Sequence, residues 1–374
     1  MITPRFFIES LRLGGVEFYT GVPDSLLKNV CAYMTEHLDD RHHIIAANEG
    51  GAVALAAGYH LSTGKMGCVY MQNSGEGNAV NPLASLTDPE VYHIPLLLLI
   101  GWRGRPGVHD EPQHVKQGKV TTGLLNVMGI DYDVLSKEEE KASAQIEKAL
   151  LHIRETGEAY ALVVEKDTFE PYTLQSPESG EYTMSREEAI RTVAASIPAD
   201  AVIVSTTGMI SRELFEYRTA MGQGHERDFL TVGSMGHASM IALGIALQQP
   251  ERKVYCFDGD GAAIMHMGNM AIVGSKHPEN YVHVVFNNGA HDSVGGQPTV
   301  GHDIDLVEIA YAMHYGHAEC VWNQDQLKKA LENMSPSGLQ FIEVRVRKGN
   351  RKDLGRPTTT PVENKESFMS FLES

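Results

Sequence analysis

The stretch Tyr255 to Ala262 reads YCFDGDGA, with an aspartate set between two glycines at the end of an apolar run. About two dozen residues later a second apolar run ends in Asn287-Asn288, within VVFNNGAHDS. Magnesium takes near-octahedral oxygen ligands, usually one or two carboxylates or carbonyls completed by phosphates and water. Asp260, Asn288 and the main-chain carbonyl of Ala290 could supply three such oxygens, with Asn287 the less suited of the two asparagines. The glycines Gly259 and Gly261, with Ala262 after them, let backbone amides come close to a phosphate at a helix N-terminus, whose dipole favours anions. Each motif alone would serve as a tight turn, because Gly and Asx residues favour turns. Together, each closing a strand with a helix between them, they imply a diphosphate bridged by magnesium.

The elements that must hold these groups alternate regularly. From Gly15 to Lys166, short apolar runs (VEFYT, HHIIAAN, GCVYMQ, IPLLLLIGW, ALVVEK) are separated by segments of helical periodicity such as GGAVALAAGYHLSTG. Strand and helix in alternation predict a mainly parallel sheet covered on both faces. At Phe169 to Ser185 the composition turns to Pro, Ser, Gly and Glu without a period, which reads as a linker. The alternation then resumes with AVIVSTTG, FLTVG, VYCFDGDG, YVHVVFNNG and FIEVRVRK. The expected organisation is α/β, with two similar three-layer domains at 1–168 and 186–374, a linker at 169–185 and no middle domain. In open sheets of this kind ligands bind beyond the carboxyl ends of the strands, and the polar residues of interest sit there.

Composition excludes several classes. Among 374 residues hydrophobic types make up 42%, yet no apolar run approaches the roughly 20 residues that span a bilayer. The start, MITPRFFIESLRLGG, lacks the basic, apolar and small-residue regions of a secretory signal, so a cytoplasmic location is expected. Cys31, Cys68, Cys256 and Cys320 are scattered without metal-like pairing and suggest neither disulfides nor zinc. The formal charge, 31 − 48 = −17, argues against nucleic acid and against an anionic membrane surface. An anionic substrate would then need a local basic cluster. Trp102 to Lys119, WRGRPGVHDEPQHVKQGK, is the most concentrated one, with Arg103, Arg105, His109, His114, Lys116 and Lys119 against Asp110 and Glu111.

GDG followed by NN resembles the diphosphate and magnesium motif of thiamine diphosphate enzymes, and the resemblance covers nearly the whole chain. It implies thiamine diphosphate and Mg2+ as cofactors, a pyrimidine-binding domain before the linker and a diphosphate-binding domain after it. In that family a glutamate hydrogen-bonds the aminopyrimidine ring and promotes formation of the reactive ylid. The segment AANEGGAVALAAGYHLSTG is similar to the one that carries it, which gives Glu49 the role. GSMGHASMIALGIAL resembles the segment that bears the pyrimidine, with Met235 as the apolar prop and Gly233 and Met235 offering backbone polar groups. Family sites form between subunits, so a homodimer or a dimer of dimers is implied. Within the family the chain is similar to the compact subgroup that contains the phosphonopyruvate and sulfopyruvate decarboxylases. GVPDS, QNSGEGNAVNPLASL, LIGWRGRPGVHDEPQH and NNGAHDSVGGQPT resemble the phosphonopyruvate branch most closely.

That likeness implies decarboxylation of a small anionic 2-oxo acid, 3-phosphonopyruvate, to phosphonoacetaldehyde. It places Asp24 and Ser25 at the substrate, with Arg103, Arg105, His109 and His114 as the basic side. His291 and Asp292 become candidates for proton transfer, and Asp258 and Glu213 candidates for support of the metal or cofactor. Asp24 reads equally as a helix N-cap and His291 and Asp292 as turn formers. The alternatives are a sulfopyruvate decarboxylase, or a thiamine-dependent carboligase acting on a 2-oxo acid. A nicotinamide dehydrogenase is disfavoured because no GxGxxG follows the first strand.

Overall fold

The computed structural model describes residues 1–175 and 181–373. The chain divides into two compact units, Met1–Ser176 and Pro177–Ser374. The division falls inside the stretch read as a linker, whose residues 176–180 lie outside the described residues. The ends of that stretch belong to the units. Phe169 is buried edge-on against Phe7 with ring centroids 5.2 Å apart. Ser185 caps the helix Arg186–Ser196 through a capping box with Glu188. An apolar ring and a capping hydroxyl each gain by joining an element, whatever the polarity of their neighbours.

The first unit holds strands β1 (Phe18–Gly21), β2 (His43–Ile45), β3 (Gly67–Gln72), β4 (Leu96–Gly101), β5 (Asp131–Val134) and β6 (Tyr160–Val164). They form one sheet in the order β2-β1-β3-β4-β6-β5, every neighbouring pair parallel. The central strands are apolar end to end because both faces are covered; all six residues of β4, LLLLIG, are buried. The direction in which strands are added reverses at β1, since β2 lies to one side of it and β3 to the other. The loops after β1 and β3 therefore open at a switch point, the usual place for a ligand.

The second unit holds β7 (Val202–Ser205), β8 (Asp228–Leu230), β9 (Val254–Gly259), β10 (Tyr281–Asn287), β11 (Ala290–His291), β12 (Gln297–Pro298), β13 (His317–Val321) and β14 (Gln340–Arg345). Six of these make a parallel sheet, β13-β14-β10-β9-β7-β8. The short β11 and β12 pair antiparallel beyond the carboxyl end of β10. Two apolar clusters cover the faces, one built on Phe257, Val284 and Ile342, the other on Val285, Tyr281 and Phe341.

Two edge strands, β5 and β13, carry no apolar run and were not expected from the sequence. Their residues DYDV and HAECV are partly exposed, since an edge position has one open side. The helix that opens on the GDG turn is short. It runs only Asp260–Met265 before the chain re-enters a helix at Gly268–Lys276.

Candidate active site

In the first unit the candidate residues sit on the loops after β1, β2, β3 and β4. Glu49 opens the helix Glu49–Thr63, whose N-cap Asn48 accepts a hydrogen bond from the Gly51 amide at 2.8 Å. Glu49 is buried, and its Oε2 accepts from Asn78 Nδ2 at 2.7 Å. The other carboxyl oxygen lies over Gly75, where an added Cβ would stand 2.2 Å from Oε1. A residue with a side chain would displace the carboxylate, so the glycine of NSGEG is a condition of the site. Next to it, Glu76 is buried, with only the Thr121 hydroxyl to offset the burial of its carboxyl. Burial pushes its pKa up to about 8, which leaves it a neutral acid near pH 7.

Asp24 is fully buried and does not cap a helix, because the following helix starts at Lys28 with Leu27 as its N-cap. Its Oδ2 accepts from the Leu26 amide at 2.9 Å and its Oδ1 from Gln72 Nε2 at 2.6 Å. Ser25 Oγ accepts from Arg103 Nη1 at 2.6 Å. The Arg103 guanidinium also forks onto Asp110, with Nε to Oδ2 at 2.8 Å and Nη2 to Oδ1 at 2.5 Å. His114, buried, brings Nδ1 to 2.9 Å from Asp110 Oδ1. Against the opposing effect of burial, bonds from Arg103, His114 and the Glu111 and Gly104 amides hold the Asp110 carboxyl well below the usual carboxylate range. The basic segment is therefore not a pool of equivalent cations. Arg105 turns instead to Glu165 at 2.6 Å and lies over the Trp102 ring, while His109, Lys116 and Lys119 are exposed.

In the second unit Asp260 is buried after β9, with its Oδ2 accepting from the Thr299 hydroxyl. Burial raises its pKa to about 6, while the Thr299 hydroxyl and the amides of Asp260, Asn288 and Gly261 pull the other way. Asn288 Oδ1 accepts from the Ala290 amide at 3.1 Å, and its Nδ2 donates to Asp292 Oδ2 at 2.6 Å. Asn287 spends its amide elsewhere, donating to the Gly301 carbonyl and to Glu343, both at 2.7 Å. His291 packs on the GDG turn, where a Cβ added to Gly261 would come 2.8 Å from its ring. Burial lowers the His291 pKa to about 4 and keeps the imidazole neutral.

Asp292 and Glu213 are joined by a residue that the motifs did not single out, Arg186, at 2.9 Å to each. Asp258 faces His283, 3.6 Å away and beside Cys256, rather than a loop. On the loop after β8, Gly233 and Ser234 adopt positive φ, Met235 is half-buried, and His237 Nδ1 stands 3.1 Å from the Met235 carbonyl.

The donor set fits a divalent cation. A carboxyl whose charge is opposed by burial, an amide whose oxygen end is fixed by what its nitrogen end bonds, and a nearby strand carbonyl are hard oxygen groups of the sort that Mg2+ takes. Asn78, Asp110, Thr299 and Arg186 escaped sequence reasoning. Asn78, Asp110 and Thr299 lay in segments already quoted, three residues after Gly75, within the basic loop and at the end of NNGAHDSVGGQPT, while Arg186 gave no local signal.

Two sheets with polar groups at their carboxyl edges define a class, and each matches half of it. Residues 2–124 match the thiamine pyrophosphate enzyme N-terminal TPP binding domain and residues 206–344 the C-terminal TPP binding domain. The chain is 35% identical over 381 residues to the phosphonopyruvate decarboxylase of Streptomyces viridochromogenes, covering 96% of this chain and 92% of that one. It is 34% identical over 393 residues to the phosphonopyruvate decarboxylase of Streptomyces hygroscopicus, covering 99% and 94%. With the sulfopyruvate decarboxylase of Methanosarcina acetivorans the identity is 27% over 392 residues, covering 98% and 96%. The chain belongs to the thiamine pyrophosphate enzymes, in the family of these phosphonopyruvate decarboxylases.

Proposed function

We propose that the chain is a carboxy-lyase that converts 3-phosphonopyruvate to phosphonoacetaldehyde and carbon dioxide, a step of phosphonate biosynthesis of the 2-aminoethylphosphonate type. The observation that carries this reading is end-to-end likeness to two enzymes of that name, at higher identity than to the sulfopyruvate enzyme. Bound thiamine diphosphate supplies the electron sink for the pair released when carbon dioxide leaves. The chain's own groups do the rest. Asp260, Asn288 and the Ala290 carbonyl would hold Mg2+, and the glycines of the GDG turn with Ala262 the diphosphate. Gly233 and Met235 would seat the aminopyrimidine, and Glu49, held by Asn78, would hydrogen-bond it.

Arg103 and Ser25 take the phosphonate, because a guanidinium held flat by Asp110 presents its remaining N–H groups to tetrahedral oxyanions in a fixed direction. Asp24 and Gln72, bonded to each other beside Ser25, and His114, bonded to Asp110, fix the frame of that pocket. The other two basic candidates stand differently, Arg105 paired with Glu165 and His109 exposed. His291 relays the proton that replaces carbon dioxide, giving up its ring N–H while its other ring nitrogen takes a proton from water. Asp292 and Glu213, both engaged by Arg186, support the metal side, and Asp258 the turn itself, through its bond to the Gly259 amide at 3.2 Å.

The domains of this reading are 1–168 for the pyrimidine and 186–374 for the diphosphate, in a cytoplasmic homodimer or dimer of dimers with the site shared between subunits. The exposed Leu55 and Leu61 on the Glu49–Thr63 helix support an assembly. No helix among the described residues is long and apolar enough to cross a membrane.

The test is decarboxylation of phosphonopyruvate and sulfopyruvate side by side, after dialysis against chelator and with thiamine diphosphate and Mg2+ restored singly and together. Free phosphonoacetaldehyde, formed faster than the sulfonate product and only with both additions, is expected. Equal or better turnover of sulfopyruvate, or a product with a new carbon-carbon bond, removes the substrate assignment. Activity without either addition removes the mechanism.

A further inference from the structure

Arg186 belongs to neither motif and stands at the first position of the helix Arg186–Ser196, yet its side chain is only 5% exposed. Its guanidinium forks onto Glu213, with Nε to Oε2 at 2.9 Å and Nη2 to Oε1 at 3.0 Å. The remaining arm, Nη1, donates to Asp292 Oδ2 at 2.9 Å. The same Asp292 oxygen accepts from Asn288 Nδ2 at 2.6 Å and from the Gly349 amide at 3.1 Å. A continuous chain, buried at Glu213, Arg186 and Asn288 and part-buried at Asp292, thus runs from Glu213 through Arg186 and Asp292 to Asn288.

A side-chain amide has a donor end and an acceptor end, and whatever fixes one fixes the other. A carboxylate only accepts, so an Asn288 flipped to present its oxygen would set two oxygens about 2.6 Å apart, a repulsive contact. Asp292 can hold the amide in this sense only if it is itself held, and Arg186 does so from the far side. Charge points the same way. Two carboxylates against one guanidinium leave a net negative charge in a buried chain, which is costly unless a cation stands at its end.

We infer that Arg186 is a positioning residue for the metal: braced by Glu213, it fixes Asp292, and Asp292 fixes the Asn288 amide with its oxygen turned toward the divalent ion. This rests on the reading of Asp260, Asn288 and Ala290 as the ion's ligands. Groups that orient a ligand from behind typically contribute about 10–100-fold in metal affinity.

The experiment uses the full chain with thiamine diphosphate and Mn2+ as the probe, reading free Mn2+ by electron paramagnetic resonance. Melting of the chain without metal or cofactor is measured alongside. Asp292→Ala is expected to weaken Mn2+ binding about 10–100-fold, whereas Asp292→Asn, which keeps an acceptor oxygen, recovers to within about threefold of the parent. Arg186→Lys, which keeps the charge and loses the fork, falls between them. A loss of packing alone would lower the melting temperature and leave the Mn2+ affinity of the folded variant where it was. Mn2+ affinity in Asp292→Ala equal to that of the parent overturns the relay, and the Asp292 pair decides the matter even if Arg186→Lys does not fold. Asp260→Ala separates the two readings. If it too binds Mn2+ like the parent, the ligand assignment falls; if it loses the ion while Asp292→Ala keeps it, only the relay falls.

Discussion

The two units wind the same way and arm their loops differently. Read from the edge, the first sheet runs β2-β1-β3-β4-β6-β5 and the second β8-β7-β9-β10-β14-β13, the same topology strand for strand. Glu49 after β2 thus corresponds to the Gly233–Met235 loop after β8, and Gly75-Glu76 after β3 to Asp260 after β9. Both units bury a carboxyl after the third strand, but its surroundings differ. Glu76 has only the Thr121 hydroxyl to offset its burial and is pushed up to about 8, while Asp260 has a hydroxyl and three amides and rises only to about 6. After the fourth strand each unit sets an arginine against an aspartate. In the first, Arg103 and Asp110 share one loop, and the third bond of the guanidinium goes to the neutral Ser25 hydroxyl; in the second, Arg186 arrives from a separate helix and all three bonds go to two carboxylates. One scaffold therefore yields a unit whose loops combine a neutral acid with an arginine on its own loop, and a unit whose loop oxygens are fixed by neighbouring amides and hydroxyls.

The widest gap between the units should appear on changing their principal acids. Glu49→Gln is expected to keep cofactor and metal binding but lower kcat by about 10²–10⁴-fold, as loss of a proton-transfer group does. Asp260→Ala is expected to lose Mg2+-dependent cofactor binding outright, read by calorimetry. Near-normal turnover in Glu49→Gln would erase the distinction. Gly75→Ala tests the close approach behind Glu49. With Oε1 only 2.2 Å from the new Cβ the carboxylate must move, and a shift of about 1 Å in such a group can cost about 10²-fold in kcat. Unchanged kcat would mean that the exact seat of Glu49 does not matter.

Arg103→Ala should raise KM for phosphonopyruvate about 10–100-fold, the scale of one or two charge-assisted hydrogen bonds, with a smaller effect on kcat. If Arg105→Ala does as much, the separation of the two arginines made by Asp110 and Glu165 has no functional meaning.

The smallest effect concerns Glu76 and is one of pH. Its folded pKa, about 8, lies above the ordinary 4.5, so the neutral form is favoured on folding. Stability from this group is full below pH 4.5 and is lost as pH rises toward about 8, by at most about 1.4 kcal/mol per pH unit. Glu76→Gln should flatten that slope in urea unfolding of the cofactor-free chain, and an unchanged slope would show that Glu76 is already ionised in the fold.

Most of the sheets could be read in the sequence because central parallel strands are buried on both faces and appear as unbroken apolar runs such as LLLLIG. Edge strands escaped because half their surface is wet. The contacts at the ends of the linker segment were not legible for a related reason: composition averages over a window, while Phe169 and Ser185 each act alone.

The sequence by itself determined the two α/β halves, the placing of polar residues at strand ends and the pairing of GDG with NN, since each of these is a local pattern of period, turn or short spacing. The tertiary structure alone decided which of those residues stand together. Arg186 and Asp292 are 106 positions apart, and Ser25 and Arg103 78 apart, so no spacing announces either pair. It also divided the basic segment, giving Arg103 to Asp110 and Arg105 to Glu165. Charge along a chain is counted residue by residue; the field at a site depends on which of those charges the fold has already neutralised.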